Sequence, residues 1–487
     1  MDRRQLLRSS LLLGAMLAGG RRVLAESRTG YGPLVPVEDD TTGLPLLKLP
    51  DGFRYRSLGW EGEPMLDGSP TPDRHDGMAL MTWPNADPDS FVLMRNHERT
   101  FASLFARRDG IPVYDTFASS APPIPGMGGG TTALVFVRGR YSHTVPTLTG
   151  TILNCAGGPT PWGSWLTCEE LVLDGRSSGG TRRHGYVFEV PAPELGKASA
   201  RPIIDMGRMK HEAAAVDPVT GFVYLTEDNG PSGFYRFTPN NGAARLGALE
   251  DGGRLEMLKV RGVDNADLGA PRTGDELLVE WVRIRDPDAP SERTVAQSED
   301  APIRMGGGRS GPYLQGEADG GAAFRRLEGC FARDGLVYFV DTKGGDAGTG
   351  AVWALAPSES GEGPDLLRCV FASSGEHEAD NIDNVCVSPR GGIVLCEDGG
   401  GIASEDGRVS GTRVIALAAN GTAFPLVENN MRIDEPIAGR EWIEPGDYRP
   451  SEFAGVCFSP RGDRLFVNVQ TPGVTFEIRG PWREAGV

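Results

Sequence analysis

Residues 212–228 read Glu212-Ala-Ala-Ala-Val-Asp-Pro-Val-Thr-Gly-Phe-Val-Tyr-Leu-Thr-Glu-Asp228. An acid opens a short apolar run, Asp-Pro-Val-Thr-Gly makes a turn, and a run of β-branched and aromatic residues returns to a pair of acids. Turn residues between two such runs spell an antiparallel hairpin. The pattern recurs from Glu328 through Arg333-Asp334-Gly335 to Asp341-Thr342 and from Asp383 through Ser388-Pro389-Arg390-Gly391 to Glu397-Asp398. It returns from Ala454 through Ser459-Pro460-Arg461-Gly462 to Val467-Asn468. Weaker copies run from Asp76 to Asn96-His97-Glu98 and from Asn154 to Thr167-Cys168-Glu169-Glu170.

Six hairpins in series predict an all-β fold, a single six-bladed β-propeller. Separations between successive opening residues run from 55 to 116. Common propeller repeats take roughly 40 to 50 residues, so long insertions must decorate the blades. The longest gap, between Glu212 and Glu328, has room for an insertion or a seventh blade. Residues 52–58, Gly-Phe-Arg-Tyr-Arg-Ser-Leu, alternate like a strand and are placed to close the ring beside the last blade. Nothing marks a second domain, so residues 26–487 read as one decorated propeller.

Composition agrees. The 487 residues hold 68 glycines and 37 prolines, which punctuate the chain too often for a helix bundle or coiled coil. A net charge of -17 argues against a nucleic-acid partner and suits a protein that gathers cations. At the N-terminus, Asp2-Arg3-Arg4-Gln5-Leu6-Leu7, the apolar stretch Leu11 to Ala18 and the small-residue site Val23-Leu24-Ala25 form a twin-arginine secretory signal, residues 1–25. The apolar run falls short of the roughly 20 residues of a membrane span. The expected product is a periplasmic or secreted monomer that meets the twin-arginine export machinery and no membrane. Seven cysteines, at 155, 168, 330, 369, 386, 396 and 457, are an odd number without the dense spacing of a disulfide framework.

Hairpin geometry places the chemistry. The first residue of the strand that starts at the centre and the last residues of the strand that returns lie on one face. Asp76, Asn154, Glu212, Glu328 and Asp383 therefore converge with the returning residues Glu98, Glu170, Glu227 and Asp398. So many carboxylates round one axis cannot all stay ionised without compensation. Bound hard cations are the simplest remedy, since carboxylate and amide oxygens are the donors calcium prefers. A nearby thiolate or imidazole adds a place for a transition metal. Each acid taken singly would be an ordinary turn cap; acids at one phase in five of six repeats are not.

Several blocks carry a resemblance. Asn154-Cys155-Ala-Gly-Gly-Pro-Thr-Pro-Trp-Gly-Ser-Trp-Leu-Thr-Cys-Glu-Glu170 resembles the most characteristic block of the PhoX family of alkaline phosphatases. Also similar are Arg74-His75-Asp76-Gly77-Met78, Arg95-Asn96-His97-Glu98, Gly128-Gly-Gly-Thr-Thr-Ala-Leu-Val135, Gly207-Arg208-Met-Lys-His211-Glu212 and Phe466-Val-Asn-Val-Gln-Thr-Pro-Gly473, with the ending Gly480-Pro-Trp482. The blocks run in order along most of the chain, except between about 231 and 320, where none matches, and the copy at Arg326-Leu327-Glu328-Gly329-Cys330 looks more like a shorter branch of the family. The resemblance implies a decorated six-bladed propeller, twin-arginine export and a central cluster of ferric iron and calcium that hydrolyses small phosphate esters. It points to the 154–170 block for a thiolate ligand to iron and leaves Cys155 and Cys168 both open. His97 and His211 lie beside the candidate ligands. Arg95, Arg208 and Lys210 are candidates, by their place in these blocks, for offsetting transition-state charge. Two other classes stay open: a calcium-dependent propeller lactonase, and a propeller that binds without catalysis.

Overall fold

The computed structural model describes residues 30–487 except 84, 88, 103–109, 117–118, 121–122, 125, 175–180, 297–303, 359–362, 400, 402–409, 419–420 and 483–486. The export signal expected over 1–25 lies outside the described residues. What is described is nearly all-β, with one α-helix, Gly311–Ala318, and two short 3-10 turns.

Each of the six repeats is a hairpin. Their first strands are His75–Met81, Asn154–Pro159, His211–Val216, Leu327–Arg333, Ile382–Val387 and Phe453–Phe458. Each pairs with the strand that follows it in the repeat. The first strands also pack on one another in order, and the sixth packs back on the first, so they close a ring. Further antiparallel strands extend each hairpin outward. The fifth hairpin gains Leu47–Leu49 and Val35–Val37 from the N-terminal segment. The sixth gains Arg54–Leu58, which pairs with Val474–Arg479, the closing strand that residues 52–58 foretold.

The third and fourth hairpins are joined at their outer edges, where Glu276–Arg283 pairs with Asp365–Ala372 to make one nine-stranded sheet. The long gap is thereby accounted for. It supplies the outer strands Phe234–Pro239, Gly253–Val260 and Glu276–Arg283, the helix, and the pair Arg293–Ala296 and Arg304–Gly307 that joins Leu173–Asp174 beside the second hairpin. Among the described residues it holds no seventh hairpin of the repeating kind.

Every hairpin is irregular at the same place. Pairing shifts register between His75 and Met78, Asn154 and Gly157, His211 and Ala214, Leu327 and Cys330, Ile382 and Val385, and Ala454 and Cys457. Two residues then face one on the partner strand, a β-bulge that re-aims side chains. The second bulged residues, Gly77, Ala156, Ala213, Gly329 and Asn384, with Gly455 of the sixth hairpin, surround a cavity of about 40 Å³. All but Asn384 are small because the strands crowd there: a Cβ at Gly77 would lie 2.5 Å from Ala156 Cα, and one at Gly329 2.7 Å from Asp383 O. Side-chain latches tie neighbouring hairpins. Asn96 donates to Cys155 O at 3.1 Å, Thr226 to Glu328 O at 2.6 Å and Asn468 to Asp76 O at 2.6 Å. Apolar layers fill the wedges between sheets, as where Phe234 stacks on Phe339 with centroids 4.0 Å apart.

Candidate metal centre

The first bulged residues are Asp76, Cys155, Glu212, Glu328 and Asp383. One backbone hydrogen bond repeats above them six times. The N–H of the residue after each returning strand donates to the residue two before the bulge: Glu98 to Arg74 (2.9 Å), Glu170 to Leu153 (2.9 Å), Asp228 to Lys210 (3.1 Å), Thr342 to Arg326 (2.8 Å), Asp398 to Asn381 (2.9 Å) and Gln470 to Glu452 (3.2 Å). Six equivalent corners result, each presenting one bulged, one returning and one preceding side chain to the same end of the ring.

The corners assemble a continuous cluster. Ligand atoms of Cys155, Glu170 and Glu212 lie within 4.8 Å of one another, and so do those of Glu212, Glu328 and Asp383; of Asp383, Asp398 and Glu452; and of Asp76, Glu98 and Glu452. Shared members link the four groups into one chain of nine side chains. Asp76, Cys155, Glu212 and Glu328 are buried, whereas Asp398 is exposed, so the cluster opens to solvent on the corner side and is floored by the small residues of the bulges.

Its electrostatics are those of crowded acids. Burial first, and then like-charged neighbours, push Asp76, Glu170, Glu212, Glu328 and Glu452 well above the usual carboxylate range. Burial and the Asp398 charge raise Asp383 to about 8. Glu98 rises to about 7 by burial, although Arg74 pulls the other way. Burial and the neighbouring Glu212 raise the Cys155 thiol too. Such a set must hold either protons or cations. Its donors, eight carboxylates and one thiol, suit hard divalent ions, with a softer place at Cys155.

Strand alternation explains which sequence candidates arrive. Successive residues of a strand face opposite ways, so the paired acids at the returning ends divide. Glu98, Glu170 and Asp398 join the cluster. The residues just before the turn point away and serve the fold: Glu169 accepts from the N–H groups of Ile152, Gly185 and Tyr186, Asp341 from those of Arg325 and Arg326, and Glu397 from Asp380 N and the Arg413 guanidinium. Glu227 belongs with these, not with the cluster: its carboxylate accepts from Tyr235 Oη at 2.6 Å. Asn154 is likewise one residue out of phase. Its amide bonds Thr151 and Thr167 at 2.6 and 2.9 Å. Cys168 lies among Leu166 and Val187 in an apolar cluster, and the bulge brings Cys155 alone of the two to the acids.

The expected cations are redistributed as well. Arg95 is completely buried and donates to Gly59 O and Thr475 Oγ1, with His75 Nδ1 at 3.0 Å, so it braces the wall and cannot reach a solute. Arg208 is held by Asp288, Nε to Oδ1 3.0 Å. Lys210 does face the acids, and its charge bears on Glu170 and Glu227. His97 and His211 are buried and bonded to backbone oxygens of Asp73 and Gly207.

Two residues, Glu452 and Arg326, escaped sequence reasoning. Glu452 joins two of the groups. Arg326 pairs with Asp228 through two bonds of 2.7 and 2.6 Å and stands 3.0 Å from Glu328, its side chain 40% exposed. Their signal was available, because the position two before each bulge shares its face: Arg74, Lys210, Arg326 and Glu452 all occupy it.

A family model described as alkaline phosphatase PhoX matches residues 29–141 and 123–473. The chain belongs to the alkaline phosphatase PhoX family. Membership makes it a phosphoric ester hydrolase with metal-dependent catalysis and decides for that reading over the lactonase and non-catalytic ones. The fold is similar to that of Pseudomonas fluorescens PhoX, solved in complex with vanadate, a transition state analogue. The two share 16% identity with a TM-score of 0.58, over 94% of this chain and 100% of that one. The gluconolactonase XC5397 from Xanthomonas campestris is a looser match, with 14% identity and a TM-score of 0.39, over 93% of this chain and 99% of that one. No curated protein matches by sequence. No helix among the described residues is long and apolar enough to cross a membrane.

Proposed function

We propose that Asp76, Glu98, Cys155, Glu170, Glu212, Glu328, Asp383, Asp398 and Glu452 hold a cluster of calcium and ferric ions with which the protein hydrolyses phosphate esters. One observation carries the reading: four groups of donors share members and form one acid-rich chain, buried at Asp76, Cys155, Glu212 and Glu328, half-buried at Glu98, Glu170, Asp383 and Glu452, and exposed at Asp398. Calcium matches the carboxylates, and Cys155 beside Glu170 and Glu212 matches a softer, redox-capable ion such as iron. When bound, such ions supply Lewis acidity and offset the charge of a phosphoryl group.

The chain's own residues do the rest. Arg326 stands at the opening with its Nε and Nη2 held by Asp228 and Glu328, which leaves Nη1 to hold phosphoryl oxygens and to stabilise charge that grows on them. Lys210 and Arg74, at the same corner position, add positive potential around an otherwise acidic mouth. Gln470 donates to Glu98 at 2.6 Å, is also bonded to Glu452, and accepts from Arg74 at 2.7 Å, fixing two carboxylates against mutual repulsion. The floor of small residues leaves space only for a water-sized guest, so the ester must enter from the corner side.

The same proposal takes residues 26–487 as one domain, a monomeric six-bladed propeller whose third and fourth blades share an outer edge. It takes residues 1–25 as a twin-arginine signal that delivers the protein to the periplasm or beyond. The closed ring of first strands and the pairing of Arg54–Leu58 with the last sheet support the propeller. The test is hydrolysis of p-nitrophenyl phosphate at alkaline pH by the mature protein. Activity that a calcium chelator removes and added calcium restores is the expected result; turnover indifferent to the chelator would overturn the metal assignment.

A further inference from the structure

Beneath the second corner lies a buried group that the cluster does not include. His184 Nδ1 is 2.7 Å from Glu169 Oε1 and its Nε2 is 3.2 Å from Asp115 Oδ2, and none of the three side chains has any exposure. A carboxylate at each nitrogen favours the ring with both nitrogens protonated, the imidazolium. Burial alone would lower its pKa, but the Glu169 charge and the bonds to Asp115 and Glu169 outweigh burial and raise it to about 9. The Tyr114 ring meets it edge-on at 5.1 Å, and Thr181 donates to Asp115 from the far side.

Glu169 is the point where this network reaches the metal groups. Its Oε1 also accepts from Ile152 N at 3.1 Å, and its Oε2 accepts from Gly185 N at 2.8 Å and Tyr186 N at 3.2 Å. One carboxylate thus ties together segment 152–155, which ends in Cys155, and the end of the returning strand, which continues into Glu170. The other returning acids are secured differently: Glu227 by Tyr235, Asp341 by backbone N–H groups and Glu397 by Arg413. The second corner alone relies on an imidazole pinned by another acid.

We propose that His184 is a positioning residue for the Cys155, Glu170 and Glu212 group, holding Glu169 so that Cys155 and Glu170 meet at ligand distance. The inference rests on the metal assignment above. Its sign is distinctive. Removing a positive charge near a cation site should tighten cation binding if only long-range electrostatics mattered. Loss of positioning should weaken it, by about tenfold or more for an outer residue of this kind.

The experiment uses the mature protein as purified, dialysed against increasing chelator, with bound metal measured by elemental analysis. His184→Gln keeps a donor toward Glu169 but loses the charge and the second bond; it should release metal at a chelator concentration about tenfold lower than wild type. Excess calcium should then recover part of its activity, because affinity and not chemistry was damaged. Asp115→Asn, which leaves the His184 to Glu169 bond in place, should shift release in the same direction by less, and decides the matter if the first variant fails to fold. Metal retention equal to or stronger than wild type in a folded variant, even with a lowered Tm, would show a purely structural network and overturn the inference. Wild-type protein that carries no metal would overturn the assignment beneath it.

Discussion

Cys155 occupies in the second hairpin the place that Glu212 occupies in the third, and their ligand atoms lie within 4.8 Å of each other. The equivalence is set by the bulge: each is the first of two residues that face a single partner across the hairpin. A thiol has replaced a carboxylate at one of five matched positions, and a softer ligand enters an oxygen-rich set at one defined point.

That equivalence separates the two cysteines of the 154–170 block. Cys155→Ser should lower the iron content of the purified protein severely, with a calcium content changed much less. Cys168→Ala, in an apolar cluster, should leave both metals alone and cost about 1 kcal/mol of stability. Elemental analysis beside thermal melting distinguishes them; iron lost only from the Cys168 variant would reverse the assignment.

The hairpins were legible because their signal is local. Pro-x-Thr-Gly and Pro-Arg-Gly turns between apolar runs need no tertiary information, and all six copies became hairpins. The edge between Glu276–Arg283 and Asp365–Ala372 was not legible, since it pairs residues 86 to 92 positions apart in strands whose sequences are individually unremarkable. In the site, the acids were legible and their phase was not. A bulge inserts one residue into a period of two, and no sequence feature marks which residue is extra. Asn154, named beside Cys155, and Glu227, named beside Asp228, are each one residue out of phase, and their side chains point away from the acids as a consequence.

Glu452 tests the corner rule itself. The sixth hairpin opens with Ala454, which offers no ligand atom, and so looked vacant, yet Glu452, two residues earlier, reaches the groups of Asp76 and of Asp383. Its carboxylate is pushed far up by burial and then by the Asp76 charge. Glu452→Gln removes one anionic donor shared by two groups, so apparent calcium affinity should fall about tenfold, as affinity follows ligand charge. Calcium titration of the stripped protein measures it, and an unchanged affinity would remove Glu452 from the ligand set.

Metal-free protein should respond to pH in a particular direction. Glu98 at about 7 and Asp383 at about 8 lie above the ordinary carboxylate values of about 4. Folded protein then keeps protons that unfolded chain releases, so these groups favour folding most below about pH 4, and that contribution is lost as pH rises through 7 to 8. His184, raised to about 9, contributes in the same direction over a higher range. Chelator-treated protein should therefore melt at progressively lower temperature from pH 5 to pH 8, and calcium at pH 8 should restore the loss. A melting temperature independent of pH in the stripped protein would mean that the acids are compensated by something other than cations.

Two arginines give the sharpest contrast between wall and mouth. Arg95 donates to Gly59 O and Thr475 Oγ1 inside the seam between the first and sixth sheets, and burial lowers its pKa to about 9. Arg95→Ala leaves those acceptors unpaired in a dry site and should cost about 3 kcal/mol or more, while the protein that remains folded turns over normally. Arg326 is half-exposed and Gln keeps one donor toward the buried Asp228, so Arg326→Gln should cost less stability than Arg95→Ala. It should raise KM for p-nitrophenyl phosphate about tenfold, the loss expected for one charge-assisted contact. Measuring kcat, KM and Tm for both variants checks the division. A KM that moves with Arg95 and not with Arg326 would place the ester on the wrong face of the ring.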